Sequence, residues 1–147
     1  MSYLFIVSSY LIGSINFAYL VAKYKKLDIS SSGSGNPGTS NVMRTIGKKY
    51  AAFVLIGDVL KGFLPILLFS ENLLVCGFAA VIGHIYPIFY KFKGGKGVAT
   101  YIGVYIAFST LNPVSYDLFE NSYFLFLNIP VLAAFYFVVF KISRISA

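Results

Sequence analysis

Charged residues are scarce in this sequence of 147 residues: Asp, Glu, Lys and Arg together make up 12%, whereas hydrophobic residues make up 58%. A soluble globular domain carries about 25% charged residues, so this composition excludes an ordinary soluble protein of this size. The mean hydropathy is correspondingly positive, at +0.78. The composition therefore predicts a protein that lives in a lipid bilayer.

Two other absences limit the class of protein. The chain has one cysteine, Cys76, inside an apolar stretch, so no intrachain disulfide can form and nothing indicates metal binding or redox chemistry. A buried structural thiol is expected, because free cysteine behaves mostly as a small hydrophobe. No Lys or Arg precedes Lys23, so the first apolar stretch lacks the basic leader of a secretory signal and is expected to remain as a helix.

Long apolar stretches are plentiful. Five can be marked out, at residues 3–22, 50–69, 73–90, 98–111 and 123–140. Four of them have 18 to 20 residues, which at about 1.5 Å per residue is enough to cross a hydrocarbon core of about 30 Å, whereas the fourth in order has 14. The sequence therefore predicts an all-α integral membrane protein, a helical bundle of about five transmembrane segments in a single domain of residues 1–147.

The basic residues predict the orientation of this bundle. They follow the first, third and fifth apolar stretches: Lys23, Lys25, Lys26, Arg44, Lys48, Lys49, Lys91, Lys93, Lys96, Lys141 and Arg144. Glu71, Asp117 and Glu120 lie between the other stretches, where there is no base. By the positive-inside rule, the amino terminus is outside and the carboxyl terminus is cytoplasmic.

A polar segment, GSGNPGTSNVMR at residues 33–44, separates the first two apolar stretches. Its glycines allow backbone NH groups to approach an anion closely, and its Ser, Thr, Asn and Arg side chains are further donors. The segment therefore indicates an anion-binding cradle. The alternative is an ordinary surface loop, because Gly, Ser and Asn are also the usual loop formers.

A second glycine-rich segment ends the stretch GHIYPIFYKFKGGKGVAT at residues 83–100. Gly94, Gly95, Lys96 and Gly97 directly precede the short fourth apolar stretch, so they are expected at a helix amino terminus, where unpaired NH groups favour a phosphate. The segment is not a Walker A loop, because Lys96 is followed by Gly97 and Tyr90 takes the place of the first glycine. The alternative is a turn that only allows the chain to re-enter the membrane.

Two ionisable residues, Asp58 and Lys61, lie within the second apolar stretch. Three residues apart on a helix, they face the same side and can pair. Charges at such depth cost on the order of 3 kcal/mol each unless they are partnered, so both are expected to face the bundle interior. They are either an internal ion pair or a brace for the polar loops. His84, the single histidine, is either a packing residue or a catalytic base.

Three blocks, SGSGNPGTSNVMR, GDVLKG and GHIYPIFYKFKGGKGVAT, together resemble the PlsY family of integral-membrane glycerol-3-phosphate acyltransferases. The resemblance implies transfer of a fatty acyl group from acyl phosphate to glycerol 3-phosphate, which gives lysophosphatidic acid in phospholipid synthesis. It implies a multi-pass protein of the bacterial inner membrane, with acyl phosphate, glycerol 3-phosphate and membrane lipid as partners. No cofactor, metal or nucleic acid is expected.

The resemblance also implies roles for individual residues. Ser34, Arg44 and Lys96 fall at positions that the family uses for substrate contacts and are expected to be catalytic. Phosphate binding or its support is expected of Gly33, Gly35, Asn36, Asn41, His84, Gly94, Gly95, Gly97 and Thr100, with Asp58 and Lys61 behind them. Because acyl phosphate is already activated and Ser34 has no base beside it in sequence, we interpret Ser34 as a hydrogen-bond donor rather than a nucleophile.

The resemblance covers roughly the first two thirds of a typical family member. A third cytoplasmic motif, with His, Asn and Glu, has no counterpart in this sequence. Two alternatives are therefore open: a truncated form of a working enzyme, or a non-catalytic remnant that retains a lipid-phosphate pocket. A small transporter, with Asp58 and Lys61 on the pathway, is a third, but the sequence has no convincing internal repeat.

Overall fold

A computed structural model describes residues 2–69 and 71–111, and its secondary structure over these residues is helical, without strands. The prediction of an all-α protein is therefore confirmed for this part of the chain. The helices are α1 (Ser2–Ser14), α2 (Phe17–Tyr24), α3 (Thr39–Thr45), α4 (Lys48–Leu68), α5 (Leu73–Ile85) and α6 (Val98–Leu111), with a 3-10 turn at Ile88–Tyr90. We call residues 25–38 the first loop and residues 86–97 the second loop.

The chain divides into two compact units, Met1–Ala107 and Phe108–Ala147. Helices α1 to α5 and the beginning of α6 belong to the first unit, and the described part of the second unit is the end of α6. The fifth apolar stretch, at 123–140, lies outside the described residues. The single domain of residues 1–147 stays a prediction.

Three helical segments are long and apolar enough to cross a membrane: Tyr3–Tyr24, Lys48–Leu68 and Leu73–Tyr90. The fourth apolar stretch forms a shorter apolar helix, Val98–Thr110, as its length predicts. The first three predicted crossings are thus confirmed as helical segments of sufficient length. The orientation of the termini stays a prediction.

The surface of α4 has the polarity expected of a helix in lipid. Several of its large apolar side chains point outward, with exposed fractions of 43% to 58% at Leu55, Ile56, Leu60 and Leu67. Asp58 and Lys61, the ionisable residues in the middle of the helix, are by contrast buried at 2% and 3% exposure. Water would favour the reverse arrangement, whereas lipid covers the apolar side and leaves charges to the bundle interior.

Small residues bring α1 and α5 into close contact. A Cβ atom added to Gly13 would overlap the backbone of Ala80, and one added to Gly83 would overlap the backbone of Tyr10. Helices in membranes often associate through such backbone-to-backbone approaches, because lipid provides no hydrophobic driving force between apolar helices. This contact fixes the end of α5, from which the second loop departs.

The first crossing is broken between α1 and α2. At the break, Asn16 adopts an extended conformation (φ −107°, ψ 106°), and its Oδ1 accepts hydrogen bonds from the NH groups of Ala18 and Tyr19. Asn16 is therefore the amino-terminal cap of α2, the role that Asn fills well because its side chain replaces a missing backbone acceptor. The break turns α2 toward the first loop.

A small apolar core lies beneath the first loop. It consists of Ala18, Val21, Ala22, Ile29, Val42, Ala51 and Val54, of which Ala18, Ile29, Val42 and Val54 are fully buried. Burial of one such side chain stabilises the fold by about 1.5–3 kcal/mol. The polar first loop is consequently held against α2, α3 and α4 by its apolar residue Ile29 and by the helix that follows it, α3.

Candidate active site

A single buried side chain organises the first loop. Asn41, on α3, donates from Nδ2 to the carbonyls of Ser32 (2.9 Å) and Ile29 (3.4 Å), while its Oδ1 accepts from the NH of Ser34 (3.0 Å). Asn41 is 1% exposed. The turn it closes needs a positive φ at Gly33 (+61°), where a Cβ would overlap the Asn41 side chain. Asn41 thus holds the loop from inside, and its expected part in phosphate binding stays a prediction.

The first loop begins with a serine-rich turn. The Asp28 carboxylate accepts hydrogen bonds from the Ser30 NH (2.9 Å), the Ser30 hydroxyl (2.6 Å) and the Ser31 hydroxyl (3.0 Å). These donors lower the pKa of Asp28 below its usual value, because they favour the charged carboxylate. Sequence reasoning missed this turn, although an Asp two residues before a Ser is its usual local signal.

The expected catalytic residues of the first block are accessible. Ser34 lies in the first loop and Arg44 in the last turn of α3, and both are exposed. Asn36, in the same loop, is partly buried. The structure therefore presents the Ser34 hydroxyl at the surface of the first loop, which Asn41 holds in place, and the Arg44 guanidinium on the helix that follows that loop.

The second loop folds back onto the end of α5. After the turn at Ile88–Tyr90, the chain takes positive φ at Lys91 (53°) and Phe92 (59°) and returns so that the Gly95 NH donates to the His84 carbonyl (3.2 Å). Helix α6 then begins at Val98, directly after Gly97. The predicted placement of the glycines at a helix amino terminus is thus confirmed.

Lys96 and Thr100 flank this helix start. Lys96 is partly buried between Gly95 and Gly97, and Thr100 is fully buried in the first turn of α6. The Thr100 hydroxyl oxygen has no hydrogen-bond partner among the described residues. Such an oxygen beside unpaired helix NH groups is compatible with the expected phosphate site, and its role there stays a prediction.

The two loops meet. A Cβ added to Gly95, in the second loop, would lie 3.1 Å from the carbonyl oxygen of Pro37, in the first. The same carbonyl accepts a hydrogen bond from Nδ2 of Asn16 (3.3 Å), and the rings of Tyr19 and Tyr90 stack nearby with centroids 4.5 Å apart. Residues 33–44 and 94–97 consequently lie at the same end of the first unit, as two halves of one site require.

The buried charges are paired, as their spacing predicts. Lys61 Nζ lies 2.9 Å from Asp58 Oδ1 and donates to the Ile15 carbonyl (2.6 Å). Asp58 Oδ1 also lies 3.5 Å from Nδ1 of His84. This arrangement favours an internal brace over a transport pathway, because the charges contact protein groups on several sides. Within the described residues, no group of His, Cys, Asp and Glu could hold a metal ion.

One member of this region was missed by sequence reasoning. Asn16 lies in the middle of an apolar stretch, which reads as one continuous crossing, yet its side chain caps α2 and contacts Pro37. The available signal was a carboxamide inside an otherwise apolar stretch, since a polar side chain at such depth needs partners.

Membrane-crossing helices and two glycine-rich loops that meet at one end define a multi-pass membrane protein with a candidate anion-binding site at that end. The family described as glycerol-3-phosphate acyltransferase matches this chain over residues 3–147. The chain belongs to that family.

Individual relatives agree with this membership. The glycerol-3-phosphate acyltransferase of Aquifex aeolicus is 48% identical in an alignment of 111 positions that covers 71% of this chain and 58% of that protein. The one of Geotalea daltonii is 40% identical in an alignment of 151 positions that covers 95% of this chain and 78% of that protein. The chain therefore spans little more than half the length of the first relative and about three quarters of the second.

Solved structures agree as well. PlsY, an integral membrane glycerol 3-phosphate acyltransferase, has a crystal structure in its glycerol 3-phosphate form that matches with a TM-score of 0.69 at 36% identity, over 98% of this chain and 76% of PlsY. The lysophosphatidic acid form of PlsY matches with a TM-score of 0.66, at the same identity and coverage. The fold of this chain is thus similar to that of a membrane-embedded acyltransferase.

Proposed function

We propose that this chain transfers a fatty acyl group from acyl phosphate to glycerol 3-phosphate, in the bacterial inner membrane, and forms lysophosphatidic acid. The observation that carries the proposal is the contact between the two loops at Pro37 and Gly95. Two substrates that both bear phosphate need two anion-binding elements close together, and one long acyl chain needs an apolar surface beside them. The meeting loops and the lipid-covered helices supply both.

The reaction requires little covalent chemistry from the protein. A hydroxyl oxygen of glycerol 3-phosphate attacks the acyl carbonyl carbon, the bond between that carbon and the phosphate oxygen breaks, and the displaced phosphate takes up the hydroxyl proton. Because the donor is activated, positioning of the two substrates and neutralisation of the leaving phosphate account for catalysis. No acyl-enzyme intermediate is required.

We assign this work to three side chains on the two loops and α3. Lys96, beside the amino terminus of α6, neutralises a phosphate together with the loop NH groups. Arg44 binds the second phosphate, for which a guanidinium is well suited because it can form two parallel hydrogen bonds. Ser34, whose NH is fixed by Asn41, donates its hydroxyl to a substrate oxygen.

A direct assay tests the proposal. The purified chain in phospholipid vesicles is given palmitoyl phosphate and radiolabelled glycerol 3-phosphate, and labelled lysophosphatidic acid is measured. We expect turnover with the acyl phosphate, and a loss of about 10²- to 10³-fold in Lys96→Ala, the range for removing one group that stabilises developing charge.

A matched variant controls for the loss of a positive charge. Lys93→Ala removes an exposed lysine three residues earlier in the same loop and should retain the wild-type rate. Absence of any product from the wild-type chain refutes the proposed activity. Equal rates for the two lysine variants refute the role of Lys96.

A further inference from the structure

The break in the first crossing leaves a backbone carbonyl without its helical partner. In a continuous helix, the NH of Tyr19 would donate to the carbonyl of Ile15, four residues earlier. Here that NH donates to Asn16 Oδ1 instead (3.2 Å), and the Ile15 carbonyl accepts from Lys61 Nζ (2.6 Å). Lys61, on α4, thus replaces a hydrogen bond that α1 and α2 cannot make with each other.

From Lys61 the contacts continue to α5. Asp58 Oδ1 lies between Lys61 Nζ (2.9 Å) and His84 Nδ1 (3.5 Å), and each of these three side chains is at most 4% exposed. The positive and negative charges of the pair balance each other, which lowers the penalty for burying them. The carboxylate oxygen therefore connects the break to the histidine.

From His84 the contacts reach both loops and return to the break. The His84 carbonyl accepts from the Gly95 NH (3.2 Å), and Nε2 of its ring lies so close to Gly95 that a Cβ there would overlap it. Gly95 lies against the Pro37 carbonyl, which accepts from Asn16 Nδ2 (3.3 Å). Since Asn16 follows Ile15, the contacts close into a ring.

We propose that this polar ring, formed by Ile15, Asn16, Pro37, Asp58, Lys61, His84 and Gly95, sets the distance between the first and second loops. His84 is then a positioning residue that acts through Gly95. Its Nδ1 lies 3.5 Å from Asp58 Oδ1 and its Nε2 lies beside Gly95, so both ring nitrogens face members of the ring. The kinetic part of this inference rests on the proposed acyl transfer.

The proposed ring predicts how the effects of two substitutions on kcat combine. Asn16→Ala and His84→Ala cut the ring at two separate places and leave the Asp58–Lys61 pair intact, so both variants should fold. A misplacement of about 1 Å costs as much as 10²-fold in rate, so each variant should lower kcat by about 10- to 100-fold. The KM for glycerol 3-phosphate should stay within about threefold of wild type, because no phosphate ligand is removed.

The double variant decides the question. If the ring is already interrupted at one place, a second interruption should displace the loops little further. The kcat of the double variant should therefore lie within about threefold of that of the slower single variant, whereas the losses in kcat at two independent sites would multiply. His84→Asn, whose amide can donate toward Asp58, should recover most of the kcat lost in His84→Ala. Leu60→Ala, on the lipid-exposed side of α4, is the matched control and should retain the wild-type kcat.

A second readout separates this inference from the proposed activity. The apparent unfolding temperatures of the same proteins in detergent need no substrate, and the ring predicts non-additive losses there too. If wild type is inactive but these losses are non-additive, the proposed activity fails and the ring stands. If wild type is active and the losses in kcat multiply in the double variant, the ring is refuted. It is also refuted if His84→Ala raises the KM for glycerol 3-phosphate more than about tenfold and leaves kcat unchanged. In an inactive protein, additive losses of unfolding temperature overturn it.

Discussion

Substitution of Gly95 by Ala tests the contact between the two loops most directly. Gly95 is buried, and an added Cβ would overlap Nε2 of His84 while lying 3.1 Å from the Pro37 carbonyl oxygen. Neither neighbour is the end of a flexible side chain: one is a ring held beside Asp58, and the other is backbone. The methyl group must therefore be accommodated by movement of a loop.

The size of that movement gives the expected loss. Heavy atoms that are not bonded to each other pack at about 3.5–4.0 Å, so relief of the overlap requires a displacement of about 1 Å. Misplacement of reacting groups by about 1 Å can cost 10²-fold in rate, and we expect kcat to fall by about that factor in Gly95→Ala. Overpacking of this kind also lowers the free energy of unfolding by about 1–3 kcal/mol.

The assay is acyl transfer per amount of folded protein, with Gly47→Ala as the matched control. Gly47 precedes α4 with φ of +129°, and a Cβ there would meet nothing within 4 Å. Its substitution strains the backbone and lowers stability without touching either loop, so its kcat should stay at the wild-type value. A kcat for Gly95→Ala within about threefold of the Gly47→Ala value would show that the spacing of the loops does not limit the reaction.

Two predictions concern the first loop alone. Asn41→Ala leaves three backbone groups of the loop without their partner, so the free energy of unfolding should fall by about 1–3 kcal/mol, measured by thermal unfolding in detergent. Ser40→Ala, at the exposed neighbouring position, is the control, and equal stability of the two variants would contradict this prediction. The pKa of Asp28 is lowered by hydrogen bonds from Ser30 and Ser31, so its stabilising contribution is present above the unfolded-state pKa of about 3.9 and is lost as the pH falls through the lower folded-state pKa. The stability difference between wild type and Asp28→Asn should therefore shrink on acidification from neutral pH, and a difference that does not change with pH would count against the turn.

Local patterns in the sequence predicted the parts of this site that depend on neighbouring residues. The spacing of Asp58 and Lys61 predicted their ion pair, because three residues bring two side chains to the same side of a helix. The glycines before residue 98 predicted a helix start there, because an apolar stretch begins directly after them. Both inferences use only the geometry of one helix.

The sequence could not predict the contacts that depend on tertiary structure. The break at Asn16 is hidden because the hydropathy of a stretch is the same whether or not its helix is continuous. The approach of Gly95 to Pro37 joins residues far apart in sequence through a backbone carbonyl, which no side-chain pattern reports. His84 illustrates the consequence: its identity left a packing residue, a catalytic base and a support of the phosphate site open, and only tertiary structure shows that it lies between a carboxylate and a loop.

The break and the buried charges explain each other. A lysine within a membrane-spanning segment costs on the order of 3 kcal/mol, and a backbone carbonyl without a donor in lipid costs several kcal/mol. Lys61 meets both the Ile15 carbonyl and the Asp58 carboxylate, so one side chain offsets the two penalties together. Without the break, Lys61 would have Asp58 as a partner but would lack the Ile15 carbonyl. Without Lys61, the Ile15 carbonyl at the break would lack this donor. The paired lysine of α4 therefore stabilises the interruption of the first crossing beside the loops.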